Sequence, residues 1–248
     1  MHGFNNGFHY LQELTAVHDI IFIQEHWLMK DDLCKINKLN DKFIFYGKSA
    51  MEDKCASGVL VGRPFGGVGV LVNKCLDSCV KLCGVDDNGR VIAIRFTCNG
   101  KLIVCFGLYF PCFDNKNNYI EKLLDIMGFI SSVLDQYPGS IPILLGDFNF
   151  QIDRNNCGFR EFDIFAKSLN LVCCDDLDMN NIGYTYCHET LGLKSLIDHV
   201  FVNLHFKKYI NNYTIILDGA HLSDHNAVSF CISCNMSKSP ISDIGRKK

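Results

Sequence analysis

The chain has 248 residues, 48% of them hydrophobic and 21% charged, a globular balance that excludes a mostly disordered polypeptide. Twenty-four basic against 27 acidic side chains leave a net charge of −3. That excludes a strongly basic nucleic-acid-coating protein, so any hold on phosphate must come from a local patch or a bound cation.

The amino-terminal Met1-His2-Gly3-Phe4 lacks the basic segment and apolar core of a secretory signal. Apolar residues at Phe8, Leu11, Leu14 and Val17 predict a helix over Gly7–Val17, with Asn5 or Asn6 as its cap. The β-branched run Asp19–Ile23 predicts a buried strand ending in Gln24-Glu25-His26, and strands are expected at Phe43–Tyr46 and Gly67–Asn73. Arg90–Thr97 and Lys101–Tyr109 flank Asn99-Gly100, a strong hairpin signal, and Asn88-Gly89 makes a similar turn just before. The longest apolar stretch, Leu102 to Phe113, is 12 residues long and contains Pro111. A membrane-spanning helix needs about 20 such residues, so no membrane association is expected.

Asn118–Gln136 repeats apolar residues at helical spacing and stops at Pro138-Gly139. Ile141–Leu145 is a strand running into Gly146-Asp147-Phe148-Asn149, and a shorter helix covers Arg160–Leu169. Strands at Leu196–Asn203, Tyr213–Leu217 and Ala227–Ile232 close the pattern. Without a repeat or a mid-chain linker, residues 1–236 read as one domain, followed by a basic tail over 237–248. The 14 cysteines sit inside apolar runs and read as free thiols in a reducing compartment. Cys231-x-x-Cys234 lacks the second pair that a zinc site needs.

Several apolar strands deliver acidic, amide or phenol side chains: Gln24-Glu25, Tyr109, Asp147 with Asn149, Asp198, and Asp224-His225. A carboxylate beside an apolar strand is costly unless paired, hydrogen-bonded or metal-bound, so these positions point to one cleft at the sheet ends. Glu25 and Asp224 with the Asn149 amide are hard oxygen donors suited to Mg2+ or Mn2+. A His beside a second carboxylate can polarise water. Together these groups imply hydrolysis of a phosphate ester. Each also has a plainer reading: Glu25 as a solvated strand end, Asp147 with Asn149 as an Asx-turn, Ser223-Asp224-His225 as a capped loop, and Tyr109 as core. His26, His199 and His221 receive no catalytic role.

The order of these pieces resembles the endonuclease/exonuclease/phosphatase superfamily over about residues 4–234. It consists of Gln24-Glu25 after a strand, Tyr109 followed by Pro111, Gly146-Asp147-Phe148-Asn149, Ile197-Asp198-His199-Val200-Phe201, and Ser223-Asp224-His225. Phe22–Leu28 and Ile197–Val202 are most similar to the endonuclease domain of LINE-type (non-LTR) retrotransposons. The resemblance implies a four-layer α/β sandwich of two packed mixed sheets with helices outside. It also implies roles: Glu25, with Asp224, as ligands of Mg2+ or Mn2+; His225, paired with Asp198, acting on the attacking water or the transition state. Asp147 would activate water or protonate the leaving oxygen, Asn149 would hold a phosphate oxygen, and Tyr109 would position the phosphate.

The implied partner is DNA, nicked by a monomer that is intracellular, with the nucleus as the compartment of its target. A phosphatase for a small substrate and an inactive nucleic-acid-binding remnant are the rival readings. Lys48, Arg63, Lys74, Lys194, Lys207 and Lys208 are candidates for a basic patch, and Arg154 and Arg160 are the only arginines close to Gly146–Asn149. The superfamily's opening strand, which ends in Asn-x-(Asp or Asn)-Gly, is matched here only by Gly3. The expectation is therefore an uncovered sheet edge and impaired activity.

Overall fold

Runs of β-branched and aromatic residues buried on both sides build the centre of the molecule. The computed structural model describes residues 3–52, 64–113, 116–188, 190–218 and 222–236; the tail over 237–248, Arg63 and His221 lie outside them. In chain order the elements are α1 (Phe4–Leu14), β1 (Ile20–Gln24), α2 (Cys34–Asn37), β2 (Phe43–Lys48), β3 (Val68–Asn73), β4 (Lys81–Val85), β5 (Val91–Cys98) and β6 (Lys101–Tyr109). They continue with α3 (Lys116–Gln136), β7 (Ile141–Asp147), α4 (Cys157–Ser168), β8 (Leu171–Cys173), β9 (Tyr186–Cys187), β10 (Lys194–Ser195), β11 (Asp198–Asn203), β12 (Ile210–Ile215) and β13 (Val228–Ile232).

The principal sheet has six strands in the order β4-β5-β6-β7-β11-β8, with β6 and β7 parallel and the other pairs antiparallel. Side chains alternate across it. Val91, Ala93, Val104 and Phe106 face α3 and α4 in one core, where they meet Leu123, Ile130 and Phe162. Ile92, Ile94, Ile103 and Cys105 face the other way, against Val70 and Val72 of β3 and Ile210 and Tyr213 of β12. Burial on both faces explains why β5 and β6 read as nearly continuous apolar runs. A third core packs Phe4 and Leu11 of α1 on Ile21 and Ile23 of β1 and Leu71 of β3.

The layers are thus helices, six-stranded sheet, a second β layer, and α1, which is the expected α/β sandwich. The second β layer consists of two antiparallel pieces, β1-β3-β2 and β12-β13. No helix among the described residues is long and apolar enough to cross a membrane, and the described cysteines are all free thiols.

Three local expectations change. Helix α1 begins at Phe4 rather than Gly7, and Asn5 and Asn6 are exposed inside its first turn rather than capping it. The N-cap is Gly3 at φ 82, and the N–H groups of Gly3 and Phe4 donate to the Glu25 and His26 carbonyls at 3.1 and 2.9 Å. Backbone from the β1 end thereby does the capping, in a conformation that glycine adopts without strain. The strand expected over Tyr213–Leu217 begins at Ile210, because Ile210, Tyr213 and Ile215 bury together across a register shift between Asn211 and Thr214. Helix α4 begins at Cys157, capped by the Asn156 side chain accepting from the Phe159 N–H. The Asn99-Gly100 hairpin is as read: Cys98 pairs with Lys101, and both turn residues have positive φ, 50° and 75°.

Candidate active site

The site grows out of strand register. Parallel pairing of β6 and β7 sets Tyr109 beside Asp147, and antiparallel pairing of β11 and β7 sets Asp198 opposite Asp147. A phenol and two carboxylates therefore stand in one row at one end of the principal sheet. Gly146 makes this possible: at φ 131, a Cβ there would lie 2.2 Å from the Leu108 carbonyl oxygen. From the second layer, β1 ends at the same place. Glu25, at φ 59, donates its N–H to the Gly67 carbonyl at 2.9 Å and receives the Tyr109 hydroxyl on Oε1.

Directly opposed carboxylates repel, and His225 answers them. Its Nδ1 bonds to Asp198 Oδ2 at 2.8 Å, while its Nε2 stands 4.0 Å from Asp147 Oδ2. Ligand atoms of Asp147, Asp198 and His225 all lie within 4.8 Å of one another. Below Asp147, the Asn149 backbone N–H donates to Oδ1 at 2.8 Å. The Asn149 amide Nδ2 donates to Asp147 Oδ2 at 3.2 Å and to the Phe110 carbonyl at 2.9 Å. The Asx-turn is present, and it aims the carboxylate. Cys112 Sγ approaches Asn149 Oδ1 at 3.3 Å from the exposed side.

Burial raises the Asp147 carboxyl, and the Asp198 charge adds to it; His225 and the Asn149 N–H oppose them, leaving it at about 7. Burial alone would raise Asp198 too, but the charge and hydrogen bond of His225, with the Thr185 hydroxyl, hold it below its ordinary value. For His225, burial pulls downward and the Asp198 charge and hydrogen bond outweigh it, so the imidazole rises to about 9. Burial, then the neighbouring Glu25 charge, keep the Tyr109 phenol protonated far above its ordinary range.

Six of the seven sequence-predicted residues, Glu25, Tyr109, Asp147, Asn149, Asp198 and His225, converge here. Asp224 is adjacent in the chain, with its backbone carbonyl accepting the Cys187 N–H at 2.9 Å; its carboxylate is not among the three groups brought closest together. Thr185 was not foreseen. Its buried Oγ1 accepts from the Ile197 and Asp198 N–H groups at 3.1 and 3.0 Å, and its hydroxyl also reaches the Asp198 carboxylate. Tyr186 packs edge-on against the His225 ring at 5.1 Å, and Arg90 lies over the Tyr109 ring at 5.3 Å. Gly183-Tyr184-Thr185-Tyr186 carries a strand-like composition that could have flagged this segment, and Arg90 directly follows the Asn88-Gly89 turn.

The expected basic patch is largely engaged elsewhere. Lys48 pairs with Asp87 at 3.1 Å, Lys207 with Asp176 at 2.5 Å, and Lys74 donates to the Asp41 carbonyl at 2.5 Å. Lys194 lies over the Tyr184 ring at 4.0 Å, on the strand paired with Tyr186. A second group, Cys173, Asp175 and His199, is structural. His199 is buried, bonded through Nδ1 to Asp175 at 2.7 Å and through Nε2 to the Phe150 carbonyl at 3.0 Å. Both ring nitrogens are engaged within the protein, and His26 is likewise buried and bonded.

Residues 2–225 match the model of the endonuclease/exonuclease/phosphatase family. The chain belongs to that family. The family's fold recurs in solved structures. The 3′ phosphatase NExo from Neisseria, bound to a product DNA hairpin, superposes with a TM-score of 0.67 at 17% identity, covering 93% of this chain and 95% of that one. The AP endonuclease LMAP from Leishmania major gives 0.69 at 13% identity, covering 92% and 82%. The endonuclease domain of TRAS1, a telomere-specific non-LTR retrotransposon, gives 0.63 at 14% identity, covering 91% and 90%. No curated protein sequence matches the chain.

Proposed function

We propose that this family member is a divalent-metal-dependent phosphodiester hydrolase acting on DNA, an endonuclease of the retrotransposon type. The observation that carries this reading is the single row Tyr109–Asp147–Asp198 with His225 against it and Glu25 bonded to Tyr109. The donor set fits a hard dication. Three carboxylates face one imidazole, and Asp147 is raised first by its burial and then by the charge of Asp198. Glu25, with Asp224, would hold Mg2+ or Mn2+, which supplies charge neutralisation at the phosphate and the departing oxygen.

The chain's own groups divide the remaining work. His225, held as imidazolium by Asp198, offers its Nε2–H to a phosphate oxygen as charge builds there in the transition state. Asp147, titrating near neutrality, takes or returns the proton of the attacking water or leaving oxygen. Asn149 spends its amide hydrogens on Asp147 and Phe110, so it orients that carboxylate and would reach phosphate by exchanging one of these bonds. Thr185 fixes Asp198, and Tyr109 fixes Glu25.

DNA as substrate is supported by the DNA-processing enzymes among the structural neighbours. Supercoiled plasmid incubated with Mg2+ should be nicked, EDTA should stop the reaction, and Asp147→Ala should lower the rate by about 10²–10⁴-fold while leaving the fold intact by circular dichroism. Phosphate release from inositol phosphates without nicking would replace this reading with a phosphatase. Plasmid retention on a gel with neither activity would replace it with an inactive binder.

A further inference from the structure

Strand β8, at the edge of the principal sheet, brings a second set of donor atoms together. Cys173 stands opposite Phe201 of β11, two residues along from His199 and on the same face, and Asp175 opens the short turn that follows β8. One ligand atom from each of Cys173, Asp175 and His199 lies within 4.8 Å of the other two. The His199 side chain is 1% exposed, while that of Asp175 keeps 16% and gives the group a route to solvent.

The hydrogens of this group do not balance without an extra positive charge. His199 Nε2 faces the Phe150 carbonyl at 3.0 Å, and a carbonyl only accepts, so Nε2 carries a hydrogen. A neutral ring then has a bare Nδ1, yet Nδ1 lies 2.7 Å from Asp175 Oδ2. Two acceptors hold that distance only with a proton or a metal ion between them. Asp175 Oδ1 meanwhile accepts the Tyr213 hydroxyl at 3.0 Å, and the Asp175 N–H donates to Cys173 Sγ at 3.5 Å. Each donor side chain thus has an outer partner that fixes its direction, as the ligands of bound metals do. Lys207 donates to the Cys173 carbonyl, but its charge is paired with Asp176.

We propose that Cys173, Asp175 and His199 form a second metal site, which takes one thiophilic dication of the Zn2+ class in exchange for two protons. A thiolate sulfur, an imidazole nitrogen and a carboxylate suit Zn2+ or Co2+ rather than Mg2+ and leave a fourth position for water. One proton leaves the Cys173 thiol and the other leaves the His199–Asp175 pair. Thiolate, carboxylate and neutral imidazole then balance the charge of the ion. Burial and the Asp175 charge push the Cys173 thiol upward, and a bound cation reverses that. Ligand bonds of about 2.0–2.3 Å set tetrahedral donor atoms about 3.5 Å apart, so His199 Nδ1 and Asp175 Oδ2 need only a small separation to admit the ion. It would join β8 to β11 beside Asp198, the residue that holds His225.

The test uses the full chain, freed of metal and kept in excess Mg2+ so that sites for hard cations are filled. Co2+ should produce a thiolate-to-cobalt charge-transfer band, and a pH indicator should record about two protons released per ion bound. Zn2+ should bleach the band by displacement and raise Tm. Cys173→Ser should abolish the band and weaken binding by about 100-fold or more, since even an outer partner is worth about 10–100-fold. In EDTA the Tm of this variant should stay close to that of the unaltered chain, which shows that it folds. Glu25→Gln should leave the band in place. No band in the unaltered chain, or a band without proton release, would overturn the proposal and leave the group as a hydrogen-bonded cluster. A band that survives Cys173→Ser would overturn it by assigning the ion to another of the 14 cysteines. Loss of the band in Glu25→Gln would overturn it by placing the ion in the catalytic site. These readouts do not depend on nuclease activity, so a failure here is separate from a failure of the proposed function.

Discussion

Asp147 owes its chemistry to the strands that set Tyr109 and Asp198 beside it, and His225 to the loop before β13 that brings it against both carboxylates. With Asp147 near 7 and His225 near 9, the form with an ionised carboxylate and an imidazolium dominates between those values. The rate should therefore rise through about 7 and fall through about 9. Asp198→Asn removes the charge that raises His225, so the alkaline limb should move to lower pH and kcat should drop by about 10²-fold or more. A pH–rate profile of the variant, with an unmoved alkaline limb as the contrary result, decides this.

His26 gives a stability prediction of opposite character. It is fully buried, bonded to the Lys48 carbonyl, and burial lowers it to about 4. The unfolded chain takes up this proton near 6.5 and the folded chain only near 4. Stability from the neutral ring is thus complete above 6.5 and lost as pH falls towards 4, by up to about 3 kcal/mol. Urea melts at pH 7 and 4.5 should show this loss, and His26→Gln should flatten it. At this scale the motif residues were legible because strand ends carried costly carboxylates. Thr185 was not, because a hydroxyl is cheap to bury and its value lies in two N–H groups and a carboxylate distant in the chain.

At the scale of elements, periodicity located the long pieces and missed those defined by their partners. Strands β5, β6 and β7 and helix α3 bury whole faces and announce themselves as runs or repeats. Strand β4, Lys81-Leu82-Cys83-Gly84-Val85, has no period-two pattern and exists through its pairing to β5, while β9 and β10 are two residues each and exist through each other. The α1 boundary was misplaced because its capping acceptors come from the end of β1, over 20 residues along the chain. Strand β7 carries the element-level prediction. Gly146→Ala would place a methyl 2.2 Å from the Leu108 carbonyl in a backbone conformation closed to alanine, at a cost of about 1–3 kcal/mol. The strained strand must part from β6 just where Tyr109 meets Asp147. Chemical denaturation should show the loss, and nicking should fall more than the unfolded fraction explains.

Across the whole molecule, the layers converge on a concentration of negative charge. Glu25 arrives from the second β layer, Asp147 and Asp198 from the principal sheet, and His225 from the loop before β13. The site is therefore complete only when both β layers are docked, and a dication bound there reports on that docking. Binding to the folded state alone stabilises it by about 2.7 kcal/mol at a hundredfold excess over Kd. For a domain of this size that corresponds to about 5–10 °C in Tm. Mg2+ titrated into metal-free protein should raise Tm by this order. Glu25→Gln should abolish the rise while keeping the Tyr109 hydrogen bond through its amide oxygen. A rise that survives Glu25→Gln would place the cation away from β1 and uncouple it from the junction of the two layers.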